Sequence, residues 1–575
     1  VNRRDFFCGS AAAATAFAAA SQARAQQSSS PKPSLENLAR GAADLALHNA
    51  KVITLDPKRP TASAVLVREG KIVMIGSDAE VLRAAGSTPR YNAGGRTVMP
   101  GFVDNHCHVE DSCITADHHP SLRGLQSIEA MVERMRAHAQ TRPKGEYLVF
   151  QGGGFPNNVS EKRWMTRQDI DRASTDHPIM VILGIHASIL NTPAWKQSGY
   201  WEPGNDRNVL WTDGSPRMGS HIHRGPDGHP TGVGSEIWEF RPKYTAEQYK
   251  ESMRRHFKDW FLSKGLTSIT TIPNESPGEF QALQELQREG GLPSRFRVYP
   301  IVPHASPLAH FTGPGFTTGL GDAMMRFGGV KFFIDNGSDG MGGRQPDLKW
   351  TREGLTEALI QCQRGNIQTI MHVVTPDGMD LTLDCLEAAQ KAYPRDIRHR
   401  IDHLTPTDIN QIRRTKALNV TLGITAPQAP PSNAIPPPGG GYGRNHRYRT
   451  LLNEGVSTIL VLDAAGPGGY YEVWRGIANV VSESGKGGSA APGEAVTLDE
   501  AMRMWTLWPA ESNGEGHEKG SLEVGKYGDM IVLSADPRGK SSFDLYKIQT
   551  ETTICGGAIT FEVPPGRAAP APTRG

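Results

Sequence analysis

His106 and His108 flank a single cysteine at the end of an apolar run, Met99-Pro100-Gly101-Phe102-Val103 followed by Asp104-Asn105. Residues two apart in a strand share a face, so the two imidazoles point together while Cys107 points away. Two imidazoles converging at a strand end suit Zn2+ or a similar ion. An isolated H-x-H is more often a chance pair of surface or structural histidines, so the pattern gains weight only in company. Three further runs end in ionisable side chains: Thr369-Ile370-Met371-His372, Arg400-Ile401-Asp402-His403 and Ile459-Leu460-Val461-Leu462-Asp463. A fourth carries Lys331 after Gly329-Val330. Taken singly, a strand-end His or Asp is usually a cap, and the ordinary role for Lys331 is an ion pair with Asp335 or Asp402. Four independent strand ends that agree with the H-x-H are hard to attribute to chance.

The elements that must position these groups are strands alternating with helices. Candidate strands fall at 97–108, 266–272, 296–302, 329–335, 369–374, 398–404, 420–425 and 457–463. Helical patterns lie between most of them, at 246–263, 279–289, 353–364, 381–392 and 408–416. Eight such strands predict an α/β fold with a (β/α)8 TIM-type barrel over 96–517, and catalytic groups then belong at the C-terminal strand ends. The long gap at 109–245 holds extra strands at 147–151 and 179–183 and predicts an inserted subdomain after the first strand, over the barrel mouth. β-rich runs at 43–95 and 518–565 predict a discontinuous β-sandwich domain built from both ends of the chain.

Composition narrows the function classes. The chain has 575 residues, 38% hydrophobic and 21% charged, which disfavours fibrous and strongly disordered classes. Its 63 Gly and 41 Pro show no repeat period and indicate many turns and long loops. A net charge of +2 provides no global basic field for nucleic acid or anionic lipid. Six cysteines are too few for a disulfide scaffold. Arg3-Arg4-Asp5-Phe6-Phe7, an Ala-rich run over 11–20 and Ala23-Arg24-Ala25 resemble a twin-arginine export signal at 1–25. A polar linker at 26–42 follows, a short tail occupies 566–575, and a periplasmic or secreted enzyme is expected. Nothing after the N-terminus is long and apolar enough to span a bilayer. Five cysteines remain after signal removal, an odd number without C-x-x-C, so free thiols are expected.

The motif set resembles the amidohydrolase superfamily. Met99-Pro100-Gly101-Phe102-Val103-Asp104-Asn105-His106-Cys107-His108 is similar to its opening motif, and Gly520-Ser521-Leu522-Glu523-Val524-Gly525-Lys526-Tyr527-Gly528-Asp529 to its C-terminal sheet segment. Arg163-Trp164-Met165-Thr166-Arg167 and Asp227-Gly228-His229-Pro230-Thr231-Gly232 resemble the YtcJ-like (amidohydrolase 3) branch, which the N-substituted formamide deformylases also resemble. The resemblance implies two divalent metal ions, Zn2+ by preference. His106, His108 and Asp463 would hold one, His372 and His403 the second, and a carboxylated Lys331 would bridge them. It implies that Asp463 takes a proton from water and returns it to a leaving nitrogen. The expected reaction is hydrolysis of a non-peptide C–N bond, in a small amide, an N-formyl or N-acyl compound or a cyclic imide, by a metal-activated hydroxide. The same site would serve a lactone or ester hydrolase, and a catalytically silent regulatory or binding protein on the same frame is a further alternative. Two local departures concern Asp335-Asn336-Gly337-Ser338, where the branch often has Asp-Gly-Ser, and Leu462-Asp463, where Ser-Asp is common. The partner is a small molecule, without nucleic acid or stable membrane insertion; a homo-oligomer stays open. The loops at 427–443, read as a lid or a plain exposed loop, and at 337–343 lie near the expected mouth. His186 and Asn191 face substrate or play structural roles.

Overall fold

A computed structural model describes residues 43–563 apart from 155, 184–186, 205–220, 236, 238–239, 274–276, 303–304, 337–346, 404, 407, 429–446 and 465–471. The export signal, the linker, the tail, His186, the loop at 337–343 and most of the loop at 427–443 lie outside the described residues.

Each of the eight apolar runs contains a strand: β1 (Phe102–Cys107), β2 (Leu266–Thr271), β3 (Arg295–Val298), β4 (Gly329–Phe333), β5 (Gln368–Val373), β6 (Arg400–His403), β7 (Thr421–Thr425) and β8 (Ser457–Val461). They pair in parallel and in chain order. β1, β2 and β3 share one sheet with the short strand Met325–Phe327, and β4 to β8 form a second. Just past β3, Ile301 bridges Lys331 of β4, and Cys107 of β1 bridges Ala464 just past β8, both in parallel sense. Almost every strand residue is buried on both faces, as expected of parallel strands covered by crossover helices. Those helices start where the sequence supplies a cap. Thr245, Thr351, Thr375 and Asp408 each accept a first-turn backbone N–H ahead of Ala246–Trp260, Arg352–Gly365, Pro376–Ala392 and Ile409–Ala417.

The run at 97–108 divides in two. Thr97–Pro100 belongs to a six-stranded sheet, between Lys51–Ile53 and the antiparallel Met530–Leu533, and the chain enters β1 after Gly101. A Cβ on Gly101 would lie 2.2 Å from Thr267 Oγ1, so only glycine passes between the two sheets here. The six-stranded sheet also carries Thr550–Cys555 and Ala558–Glu562, so the two ends of the chain pair directly. With a four-stranded sheet of residues 45–92 it encloses a common apolar core that includes Leu47, Val65, Val98, Val532 and Ile554. Between β1 and β2 a five-stranded sheet contains Leu148–Gln151 and Ile179–Ile182, close to the two strands expected there. It has its own core around Met131, Phe150 and Ile189. Among the described residues no helix is long and apolar enough to cross a membrane.

Side chains of β3 tie the parallel strands to the C-terminal segment. Arg295 Nε donates to Asp529 Oδ2 at 2.8 Å. Arg297 Nη1 lies 2.8 Å from Glu515 Oε1, and Glu515 also meets Arg326 at 2.9 Å and Lys519 at 2.7 Å. Burial raises the Glu515 carboxyl, but Lys519, Arg297 and Arg326 outweigh it and hold it at about 2. A carboxyl held below its ordinary 4.5 contributes stability above that pH and loses it as pH falls toward about 2. Glu515→Gln leaves buried cations without their carboxylate and is expected to cost about 3–5 kcal/mol. Calorimetry should record a lower thermal midpoint at neutral pH, and the deficit should shrink across that acid window.

Candidate functional site

The predicted groups meet at the C-terminal ends of the parallel strands. Four imidazoles form a chain: ring centroids are 5.6 Å apart for His108 and His106, 4.8 Å for His106 and His403, and 4.4 Å for His403 and His372. Asp463, just beyond β8, faces three of them. Its Oδ1 lies 3.5 Å from His106 Nε2 and 3.7 Å from His108 Nε2, and its Oδ2 lies 3.7 Å from His403 Nδ1. Ligand atoms of His106, His108 and Asp463 all fall within 4.8 Å of one another, a grouping that can hold a metal ion.

Hydrogen bonds on the far side of the two rings decide what they present. His106 Nδ1 bonds Asp402 Oδ2, and His108 Nδ1 lies 3.0 Å from the Ile272 carbonyl oxygen. A carboxylate and a carbonyl only accept, so each Nδ1 carries the proton. In the neutral rings each Nε2 then has its lone pair toward Asp463. Burial, with Lys331, His108 and Arg400 adding to it, pushes the His106 pKa well below its usual value and keeps that ring neutral. The Nε2 atoms of both rings and a carboxyl oxygen of Asp463 therefore converge. That donor set fits a divalent cation.

The backbone is bent to achieve this. His403 has φ 85° and Asp463 φ 51°, a left-handed region that costs a non-glycine residue on the order of 1 kcal/mol or more. Alternation along β6 places His403 on the face of Ile401, which belongs to the outer apolar core; the turn at His403 returns its ring to the site. Asp463 is fixed by its N–H donating to the His106 carbonyl at 2.8 Å. Asp104 clamps the same seam, its Oδ1 accepting from the N–H groups of His106 and Leu462, both at 3.1 Å. Burial raises the Asp104 carboxyl to about 7.

Lys331 is fully buried in β4 and its Nζ has no hydrogen-bond partner among the described residues. Burial pulls its pKa down to about 7, against the attraction of Asp402 and Asp463. The ordinary ion pairs are already taken. Asp335 accepts from the N–H groups of Val374 and Thr375, and Asp402 is engaged by Arg400 and His106. Cys107 turns away from the cluster toward the Ala464 carbonyl, and its thiol is raised far above its normal pKa by burial. The five described cysteines are all buried free thiols. Asn191 is structural: it caps the helix Thr192–Gln197 and accepts from the Ile179 N–H. Sequence reasoning did not assign Asp402, Arg400, Thr425 or the Ile272 carbonyl to the site, although His403 Nδ1 lies 3.0 Å from Thr425 Oγ1. The available signal was Asp402 itself, a carboxylate placed between Arg400 and His403 in a strand buried throughout.

A family model described as the amidohydrolase family matches residues 91–561. An N-substituted formamide deformylase from Arthrobacter pascens is 25% identical over 552 residues, 90% of this chain and 98% of that one. YtcJ of Bacillus subtilis (strain 168), named as an amidohydrolase, is 23% identical over 90% of this chain and 99% of its own. A solved metal-dependent hydrolase from Pyrococcus furiosus superposes with a TM-score of 0.62 at 20% identity, covering 86% of this chain and all of that one, and so shares the fold.

The isolated Lys331 amine gives a test independent of any substrate. Lys331→Met keeps most of the side-chain length and removes a buried amine that has no hydrogen-bond partner among the described residues. The variant is expected to be about 1–2 kcal/mol more stable than the parent, visible as a raised thermal midpoint.

Proposed function

The chain belongs to the amidohydrolase family and is a hydrolase of carbon–nitrogen bonds, and from that premise we propose that it cleaves a non-peptide C–N bond of a small N-formyl or N-acyl compound or cyclic imide with the help of divalent metal. The observation that carries this reading is the convergence of the His106, His108 and Asp463 lone pairs on one point. The named activity of the Arthrobacter relative favours a formamide within that class. We read the two parallel sheets as one (β/α)8 barrel, because their strands follow chain order and isolated parallel bridges at Ile301–Lys331 and Cys107–Ala464 link one sheet to the other. The site then occupies the barrel's C-terminal face, where catalytic groups of this fold gather.

In this reading His106, His108 and Asp463 would hold one ion and His372 and His403 a second, and a carboxylated Lys331 would join the ligand set. Its neutral amine adds to CO2, a C–N bond forms and one proton leaves; the burial that lowers its pKa favours the reactive form. Imidazole and carboxylate ligands suit zinc. When bound, such an ion supplies Lewis acidity and lowers the pKa of water toward about 7. Asp463 is the proton carrier. Its side chain is 33% exposed, whereas those of His106 and His108 are 1% and 4%, so it alone of the three reaches both solvent and cluster. It takes the proton of the attacking water and delivers it to the departing nitrogen. The Arg3-Arg4 segment makes export by the twin-arginine route part of the same proposal.

Metal quantification combined with a screen of formamides, N-acyl amines, cyclic imides and lactones tests the reading. Bound zinc and turnover of a C–N substrate are expected, with lactones slower. Asp463→Asn is expected to lower kcat by about 10²–10⁴-fold. Near-native turnover in that variant with metal retained removes Asp463 from the proton role, and a purified protein without zinc, manganese or iron overturns the metal reading.

A further inference from the structure

We propose that Asp402, braced by Arg400, is a positioning residue that aims His106 Nε2 at the metal site; this rests on the reading of His106 as a metal ligand. Arg400 and Asp402 are two apart on β6 and so share a face, and their side chains are 2% and 0% exposed. Arg400 holds the carboxylate from the side, Nε donating to Oδ1 at 2.8 Å and Nη2 to Oδ2 at 2.9 Å. The same Nη2 donates to the carbonyl oxygen of Asn105, the residue before His106. One guanidinium thus fixes both the acceptor of the His106 proton and the strand that carries the ring. Asp402 Oδ2 then accepts the hydrogen bond from His106 Nδ1–H and leaves Nε2 as the electron-pair donor.

Two features separate this from incidental packing. Gly423 on β7 leaves the space that the carboxylate occupies: a Cβ there would lie 2.3 Å from Asp402 Oδ1 and 2.9 Å from its Cγ. Gly423 has no positive φ, so conformational freedom does not explain the glycine. Secondly, a buried ion pair is commonly no more stabilising than well-packed apolar residues of similar volume, so stability alone gives little reason for one inside a parallel sheet. A carboxylate behind a metal-binding imidazole fixes its tautomer and orientation and raises its basicity; losing such a partner typically weakens metal affinity about 10–100-fold. His108 has a neutral carbonyl in the equivalent place, so the two rings of the H-x-H differ in strength as donors.

Asp402→Asn keeps the shape and an acceptor oxygen but loses the charge. Gly423→Ala displaces the carboxylate while leaving every proposed ligand and Arg400 in place. Zinc affinity by chelator competition, the visible spectrum of the cobalt-loaded protein and the thermal midpoint of the metal-free protein are measured for both. Zinc affinity is expected to fall about 10–100-fold in each variant, with a shifted cobalt spectrum, and the metal-free midpoint of Asp402→Asn falls as well because Arg400 is left buried without its carboxylate. Parental zinc affinity in either folded variant overturns the proposal, as does a lowered metal-free midpoint with unchanged affinity. If neither variant folds without metal, Arg400 and Asp402 are structural and the proposal fails. Failure of the parent protein itself to bind zinc overturns the ligand reading of His106 instead.

Discussion

Three groups able to donate an electron pair face one point, and most of the local structure around β1, β6 and β8 follows from that requirement. Two imidazoles can satisfy it only if both are neutral and both carry their proton on Nδ1. At His106 burial supplies the first condition, pushing its pKa well below the usual value. Asp402 and the Ile272 carbonyl supply the second, each by accepting an Nδ1 proton. The third donor must arrive from the far end of the sequence. Asp463 does so through a left-handed backbone turn, anchored by its hydrogen bond to the His106 carbonyl. Asp104 completes the seam by joining β1 to the Leu462 N–H.

Such a site is poor in stability of its own. It contains an isolated buried amine at Lys331, a buried Arg400–Asp402 pair and two non-glycine residues in left-handed backbone. Each of these is neutral or unfavourable taken alone. The compensation lies elsewhere. Apolar side chains between the strands and their covering helices form one large core, with Phe102, Ile401, Leu422 and Trp505 among its members. The Glu515 and Asp529 ion pairs fasten β3 to the C-terminal segment. Strain and stability are therefore spatially separated, which lets the strand ends carry chemistry without setting the limit on folding.

The sequence is legible where a rule has a short range. Alternating apolar runs and capped helices locate all eight parallel strands, and the strand-end rule picks the five groups that converge on the site together with Lys331. Both strands expected in the long insertion occur. The division at Gly101 had a local mark in Pro100-Gly101, but not the reason a glycine is needed there, the close approach of Thr267 far along the chain. The inward turn of His403 was hidden for a related reason: alternation predicts the opposite face, and only a positive φ reverses it. The acceptor behind His108 is a backbone carbonyl, which carries no sequence signature at all.

The two histidines that look equivalent in the H-x-H are unequal in the folded protein. His106 rests on a charged acceptor held by a guanidinium, His108 on a neutral one. The charged acceptor makes His106 the stronger donor, while its near-complete burial removes it from direct exchange with solvent. Asp463 is the more exposed partner of both. The Nδ1 protons of both rings are committed behind the site, so what the two rings turn toward Asp463 is Nε2. Spacing in sequence selects which side chains meet. The hydrogen bonds behind them decide which atom each ring presents.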